Sequence, residues 1–180
     1  CAYDSIQETS VTDYFLFLKS LGENYLQPLH YEYDGSTIEI SYKPPNAQPL
    51  TQHYTLFQHK LSICLGLMIQ ITKRIETLHS KQIHHLQLTP ESFLYASEED
   101  RVILIDTLPK TLFDTFIDKL GPDKFLQKPF ASPEQFAFID ASADHRSDLY
   151  SLGILFYTLL TGKVPMYVED YTLLLRFQDI

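Results

Sequence analysis

Gln87, Thr89 and Ser92 crowd one amide and two hydroxyls into a tight polar loop over 87–92, and a carboxylate, Asp106, ends the apolar run that follows. A carboxylate can hold a divalent cation, whereas a hydroxyl is a weak partner for so hard an ion. An amide can orient a bound hydroxyl but cannot take up its proton. Two short apolar runs, Phe93-Leu94-Tyr95 and Val102-Ile103-Leu104-Ile105, flank the acidic turn Ser97-Glu98-Glu99-Asp100. That pattern predicts a two-stranded hairpin, which would bring loop and carboxylate side by side.

The elements around this stretch are legible from period and punctuation. Val11, Phe15, Leu18 and Leu21 fall at helical spacing, and Gly22 is a stop signal. Residues 26–33 and 37–42 read as two strands around the turn Asp34-Gly35. Residues 43–49 hold three prolines and form a stiff connection. Leu61, Cys64, Leu65, Met68, Ile71, Ile75 and Leu78 predict a long helix with one buried stripe. Between Asp106 and Pro133 the chain carries Pro109, Gly121, Pro122 and Pro129, and reads as a long irregular segment of the kind that is functional or mobile. Residues 149–160 are apolar almost all round, as in a helix buried on every side, and Gly162 with Pro165 ends it.

Composition narrows the class. The chain has 180 residues, 44% of them apolar, with 12 Phe and 12 Tyr, which fits one domain, or part of a larger one, with a core of its own. A net charge of -9 with no basic run beyond Lys73-Arg74 argues against nucleic-acid partners and anionic membranes. No apolar run reaches the length of a membrane span, and the N-terminus has no signal-like region. Cys1 and Cys64 have no metal-type spacing, which points to a reducing, cytoplasmic setting. His79, His84 and His85 lack the spacing and the fourth ligand of a zinc site, so no zinc is expected. The aromatics Phe113, Phe116, Phe125, Phe130, Phe136 and Phe138 are expected mainly in the core, with an exposed docking face as the other reading.

Taken together, these motifs resemble the eukaryotic-type protein kinase family, whose catalytic loop reads H-R-D-L-K-P-x-N and whose metal motif reads D-F-G. His85-Leu86-Gln87 stands at H-R-D; Thr89, Pro90 and Ser92 stand at K, P and N; Asp106-Thr107-Leu108 stands at D-F-G. Ala131-Ser132-Pro133-Glu134 is similar to the A-P-E element, and residues 146–153 and 159–162 to the two ends of the family's central helix. The wording of 132–135 and 146–153 also resembles kinase-like modules at the head of multidomain bacterial signalling proteins. The resemblance implies an α+β, protein-kinase-like fold, mainly the helical C-lobe with the rear part of an N-lobe, truncated at both ends. The expected division is a partial N-lobe over 1–43, a hinge over 44–49 and an incomplete C-lobe over 50–180.

It also implies roles. Gln87 occupies the place of the general base, Thr89 that of the phosphate-contacting lysine, and Ser92 that of the second metal ligand, while Asp106 keeps the main metal carboxylate. Leu86 replaces the arginine that in the family pairs with a phosphate on the activation segment, where Thr111 and Thr115 lie. The family's helix glutamate aligns with Tyr14, the neighbour Asp13 being one position off. No G-x-G-x-x-G occurs, since the six glycines are scattered at 22, 35, 66, 121, 153 and 162. The structural positions His85, Pro90, Pro133, Glu134, Asp148 and Gly153 are present, and Asp148 is expected to cap the loop backbone. Scaffold present with chemistry absent is the pattern of a pseudokinase acting as a regulatory module with a protein partner. The cofactors of the family, ATP and Mg2+, would have only Asp106 to hold the metal. The other readings are an active serine/threonine kinase using a neighbouring carboxylate as base, and an interaction scaffold that never meets nucleotide.

Overall fold

Helix, hairpin, helix, hairpin, helix is the order that the hydropathy pattern dictates, and it is the order found. The computed structural model describes residues 8–33, 38–42, 45–57, 60–105, 114, 117–136 and 142–165. Helix α1 (Glu8–Ser20) starts three residues before the apolar spacing begins and buries Leu18 at its far end. Gly22, at φ 80°, turns the chain out of it, a conformation that favours glycine. Strands β1 (Pro28–Tyr33) and β2 (Ile38–Tyr42) pair antiparallel, with Tyr31 opposite Ile40 and an irregularity between Pro28 and His30. The expected turn Asp34-Gly35 lies outside the described residues. Helix α1 packs on this hairpin through Phe15 and Tyr31, whose rings lie 5.1 Å apart, and through the hydroxyls of Thr12 and Tyr31 at 2.7 Å.

The second sheet has the order β3 (Gln48–Pro49), β4 (Phe93–Ala96), β5 (Arg101–Leu104), all antiparallel. The hairpin β4-β5 is the one predicted around the acidic turn, with Leu94 opposite Ile103. Its edge partner β3 falls in the proline-rich connection and was not expected there. A proline can end an edge strand because the donor it lacks is not needed on the open side.

Helix α2 (Tyr54–Phe57) is a single turn, and α3 (Leu61–Ser80) crosses the molecule under β5. The Gln70 side chain donates to the Asp100 carbonyl at 2.8 Å and accepts from the Val102 N–H at 2.9 Å, fastening α3 to the hairpin. Helix α4 (Pro122–Phe125) is one turn within the long segment, and α5 (His145–Thr161) runs against α3. The start of α5 is capped by Asp144, which accepts from the Arg146 N–H at 2.8 Å. Gly162 at φ 71° closes its end, donating to the Thr158 carbonyl at 2.8 Å.

One core joins Leu18 and Tyr25, Leu50 and Phe57, Phe93, Val102 and Leu104, and the inner faces of α3 and α5. Two expectations about those faces are corrected. On α3 the buried line is Cys64, Leu67, Ile71, Ile75 and Leu78, while Leu61 and Leu65, assigned to the stripe, are 61% and 46% exposed. Both lines are apolar at helical spacing, and only the position of α5 and β5 selects between them. Helix α5 is not buried on every side: Leu149, Gly153 and Tyr157, one turn apart in succession, face outward. Of the aromatics singled out, Phe130 and Phe136 are buried. The Cys64 thiol is free and buried, donates to the Phe57 carbonyl, and is pushed up in pKa by that burial. Among the described residues no helix is long and apolar enough to cross a membrane.

Candidate functional site

The loop 84–92 lies between the end of α3 and the start of β4, and its shape is held mainly by groups outside it. Asp148, fully buried in the first turns of α5, accepts from the backbone N–H of His85 at 2.9 Å through Oδ2 and from that of Leu86 at 2.7 Å through Oδ1. His79 Nε2, from the last turn of α3, donates to Oδ2 at 2.8 Å. A buried carboxylate needs such partners, and two charge-assisted bonds to backbone N–H groups supply them. Leu86 sits at φ 61°, a left-handed conformation that is costly for a leucine. Its side chain is 1% exposed and packs in a second apolar cluster with Leu126, Ala131 and Phe136.

Beyond Leu86 the loop closes on itself. Ser92 Oγ donates to the Gln87 carbonyl at 3.2 Å and accepts from the Thr89 N–H at 3.1 Å, and the Ser92 N–H donates to the Thr89 carbonyl at 3.1 Å. The turn Pro90–Ser92 follows from this, with proline at its first position, where no donor is needed. The Ser92 carbonyl accepts from the Ile105 N–H at 2.8 Å, and His85 Nε2 donates to the Ile105 carbonyl at 3.4 Å. The end of β5 is thereby tied to the loop one residue before Asp106. Asp106 itself, with Thr107, Leu108, Thr111 and Thr115, lies outside the described residues.

Gln87, Thr89, Glu91 and Ser92 line a cleft of about 160 Å³ whose other wall is Leu126, Gln127 and Phe130. Burial, and after it the charge of Glu91, push the Tyr54 phenol well above its usual range, so this carboxylate stands near α2. Tyr14, which the resemblance aligns with the family's helix glutamate, lines a residual space of about 10 Å³ with Tyr25, Tyr42, Leu104 and Ile105. That volume holds at most about one water molecule.

The turn Pro133–Phe136 joins the far side of the site to α5. Glu134 Oε1 accepts from Ser132 Oγ and from Ser147 Oγ, each at 2.6 Å. Burial pushes the Glu134 carboxyl up, but these two hydrogen bonds and one from its own backbone outweigh that and hold it below its ordinary value. Asp144 titrates at about 2, held down first by the Arg146 side chain and then by its backbone N–H. A carboxyl whose folded pKa is depressed favours the fold above its unfolded value and loses that contribution as pH falls through the folded one. Stability is therefore expected to decline from about pH 4.5 toward about pH 2, with Glu134→Gln flattening the upper part of the decline. Urea midpoints followed through this range test it, and an unchanged slope in Glu134→Gln counts against it.

The structure brings His85, Gln87, Thr89, Ser92 and Asp148 into one bonded unit, with Pro133 and Glu134 on its flank. It regroups the histidines: His79, His84 and His145 form a triangle with ring centroids 5.9, 6.0 and 6.2 Å apart, while His85 points to Ile105. Among the described residues no group of His, Cys, Asp or Glu is placed to hold a metal ion. Two partners of the loop went unrecognised in the sequence, His79 and Gln135. Gln135 Nε2 donates to the Leu86 carbonyl at 2.6 Å from a position 49 residues away. Its only signal was a polar residue placed next to Glu134 in a turn bounded by apolar neighbours.

No protein-family model matches the chain. It is similar to serine/threonine-protein kinase C of Synechocystis sp., 28% identical over 160 residues, which is 85% of this chain and 30% of that protein. It is 30% identical over 118 residues to a putative ribosomal protein S6 kinase alpha-2 of Caenorhabditis elegans, covering 58% of this chain and 15% of that one. A putative serine/threonine-protein kinase R436 of Acanthamoeba polyphaga mimivirus is 29% identical over 150 residues, 79% of this chain and 49% of the relative. The chain thus spans less than half the length of each of these relatives. Among solved structures, Rad53 1-466 in complex with AMP-PNP superimposes with a TM-score of 0.68 at 18% identity, over 90% of this chain and 40% of that one. By its architecture the chain is a protein-kinase-like domain, and in the order of its motifs and in its relatives it is similar to the eukaryotic-type protein kinases.

Proposed function

We propose that this domain has lost phosphate transfer and works as a cytoplasmic regulatory module that binds a protein partner in signalling. The observation that carries the reading is the composition and bonding of the loop. Where a proton must leave the attacking hydroxyl there is the amide of Gln87, and where a second metal ligand is needed there is Ser92, whose hydroxyl is engaged with Gln87 and Thr89. Loss of a general base alone lowers a rate by about 100-fold to 10,000-fold. Thr89 brings no positive charge to a transferred phosphate, and Leu86 brings none to the activation segment. The donor set for a nucleotide-bound Mg2+ reduces to Asp106, which does not fit the two-ligand pattern of the family.

Incubation with ATP, Mg2+ and a generic serine/threonine substrate is expected to give no transfer above the uncatalysed background. Transfer that Asp106→Asn abolishes overturns the reading. One observation favours an active kinase instead: Glu91 shares the cleft with Gln87. Transfer abolished by Glu91→Gln would identify it as the substitute base. A melting point raised by ATP and Mg2+ without any transfer marks a nucleotide-binding pseudokinase, and an unmoved one marks the pure scaffold.

A further inference from the structure

We propose that Gln135 is a positioning residue that clamps the loop carrying Gln87, so that the segment ending at Phe136 stays joined to the loop without a phosphate. Gln135 is buried, at 8% exposure, and its amide can face only one way. Oε1 accepts from the Ser132 N–H at 3.0 Å and lies 3.1 Å from Ser132 Oγ, whose one proton goes to Glu134. The first of these is an obligate donor, so the oxygen must lie there and the NH2 must lie opposite. Opposite is the Leu86 carbonyl, an obligate acceptor, at 2.6 Å.

Leu86 is therefore held on both sides of its Cα: its N–H by Asp148 at 2.7 Å and its C=O by Gln135. Its side chain is anchored as well, against Leu126, Ala131 and Phe136. A non-glycine residue keeps a left-handed conformation only where its surroundings over-determine it, and these three restraints do so. The direction in which the chain leaves Leu86 sets where Gln87 points. In the family that the sequence resembles, the side chain at this position is an arginine that draws a phosphate on the segment. Here it is buried hydrocarbon, and a neutral amide from the segment's own end makes the connection. The clamp holds whether or not the loop performs chemistry.

Backbone amide hydrogen exchange on phosphatase-treated protein tests it. The amides of Leu86, Thr89 and Ser92 are expected to be protected in the wild type with no phosphate present. Gln135→Met keeps the bulk and removes both the donor to Leu86 and the acceptor of the Ser132 N–H, and should speed exchange at these amides by about tenfold, as expected for the loss of the one hydrogen bond that reaches the loop. Leu155 and Leu159 amides on α5 should change by less than about twofold if the effect is local. Gln135→Glu should loosen the loop at neutral pH and regain protection, relative to wild type at the same pH, when acid protonates the new carboxyl and lets it donate to Leu86. Three results would overturn the proposal. These are fast loop exchange in the phosphate-free wild type, unchanged loop rates in Gln135→Met, and α5 amides that accelerate as much as the loop. Absence of acid rescue in Gln135→Glu would overturn it as well, since the residue would then act by packing alone.

Discussion

Asp148→Ala is expected to destabilise the domain by about 3–5 kcal/mol. The carboxylate is fully buried and makes three hydrogen bonds, to the backbone N–H groups of His85 and Leu86 and to His79 Nε2. Alanine leaves two backbone donors in a dry environment with no acceptor, at about 1–3 kcal/mol each. The fold then either unfolds or lets the loop swing out to water. Asp148→Asn keeps one acceptor oxygen but turns an NH2 toward a donor, and is expected to cost about 2–3 kcal/mol. Urea denaturation measures both. A loss of under about 1 kcal/mol in the alanine variant would show that the loop does not depend on α5.

Leu86→Arg, which installs the residue that the family resemblance would place there, should destabilise by about 3–5 kcal/mol. The position is 1% exposed and walled by Leu126, Ala131 and Phe136. A guanidinium there has no carboxylate partner on the described wall, and burying it unpaired is costly. Leu86→Met, which conserves volume, should cost less than about 1.5 kcal/mol. The contrast between the two separates the charge effect from the shape effect. If Leu86→Arg melts like the wild type, the cluster opens readily and the side chain reaches solvent. The observed link from the loop to the turn Pro133–Phe136 runs through the Leu86 backbone carbonyl.

How much of this was legible beforehand differs from element to element. The hairpin β4-β5 was readable because two apolar runs separated by an acidic turn have few other ways to bury themselves. The glycine end of α5 was readable because a C-terminal cap is local chemistry, whereas its start, capped by Asp144, was not, since the apolar run begins only at Leu149. Strand β3 was not, since two residues among prolines carry no period, and pairing with β4 is what makes them a strand. The inner face of α3 was misread at Leu61, Leu65 and Leu67, because two parallel apolar lines on one helix satisfy the same spacing. The loop's self-closure through Ser92 lay within five residues, but nothing in residue order announced it.

By itself the sequence determined the succession of elements, the apolar runs that make the core, and the replacement of a charged loop by Gln87, Thr89 and Ser92. Those depend on residue type and short-range spacing, which a linear chain displays directly. Only the tertiary structure decided which face of α3 is inside, that His79 joins the expected Asp148 in holding the loop from a second helix, and that Gln135 meets Leu86. Each of those contacts closes a long loop of chain, and a hydrogen bond that spans 49 or 63 residues is selected by the packing of whole helices.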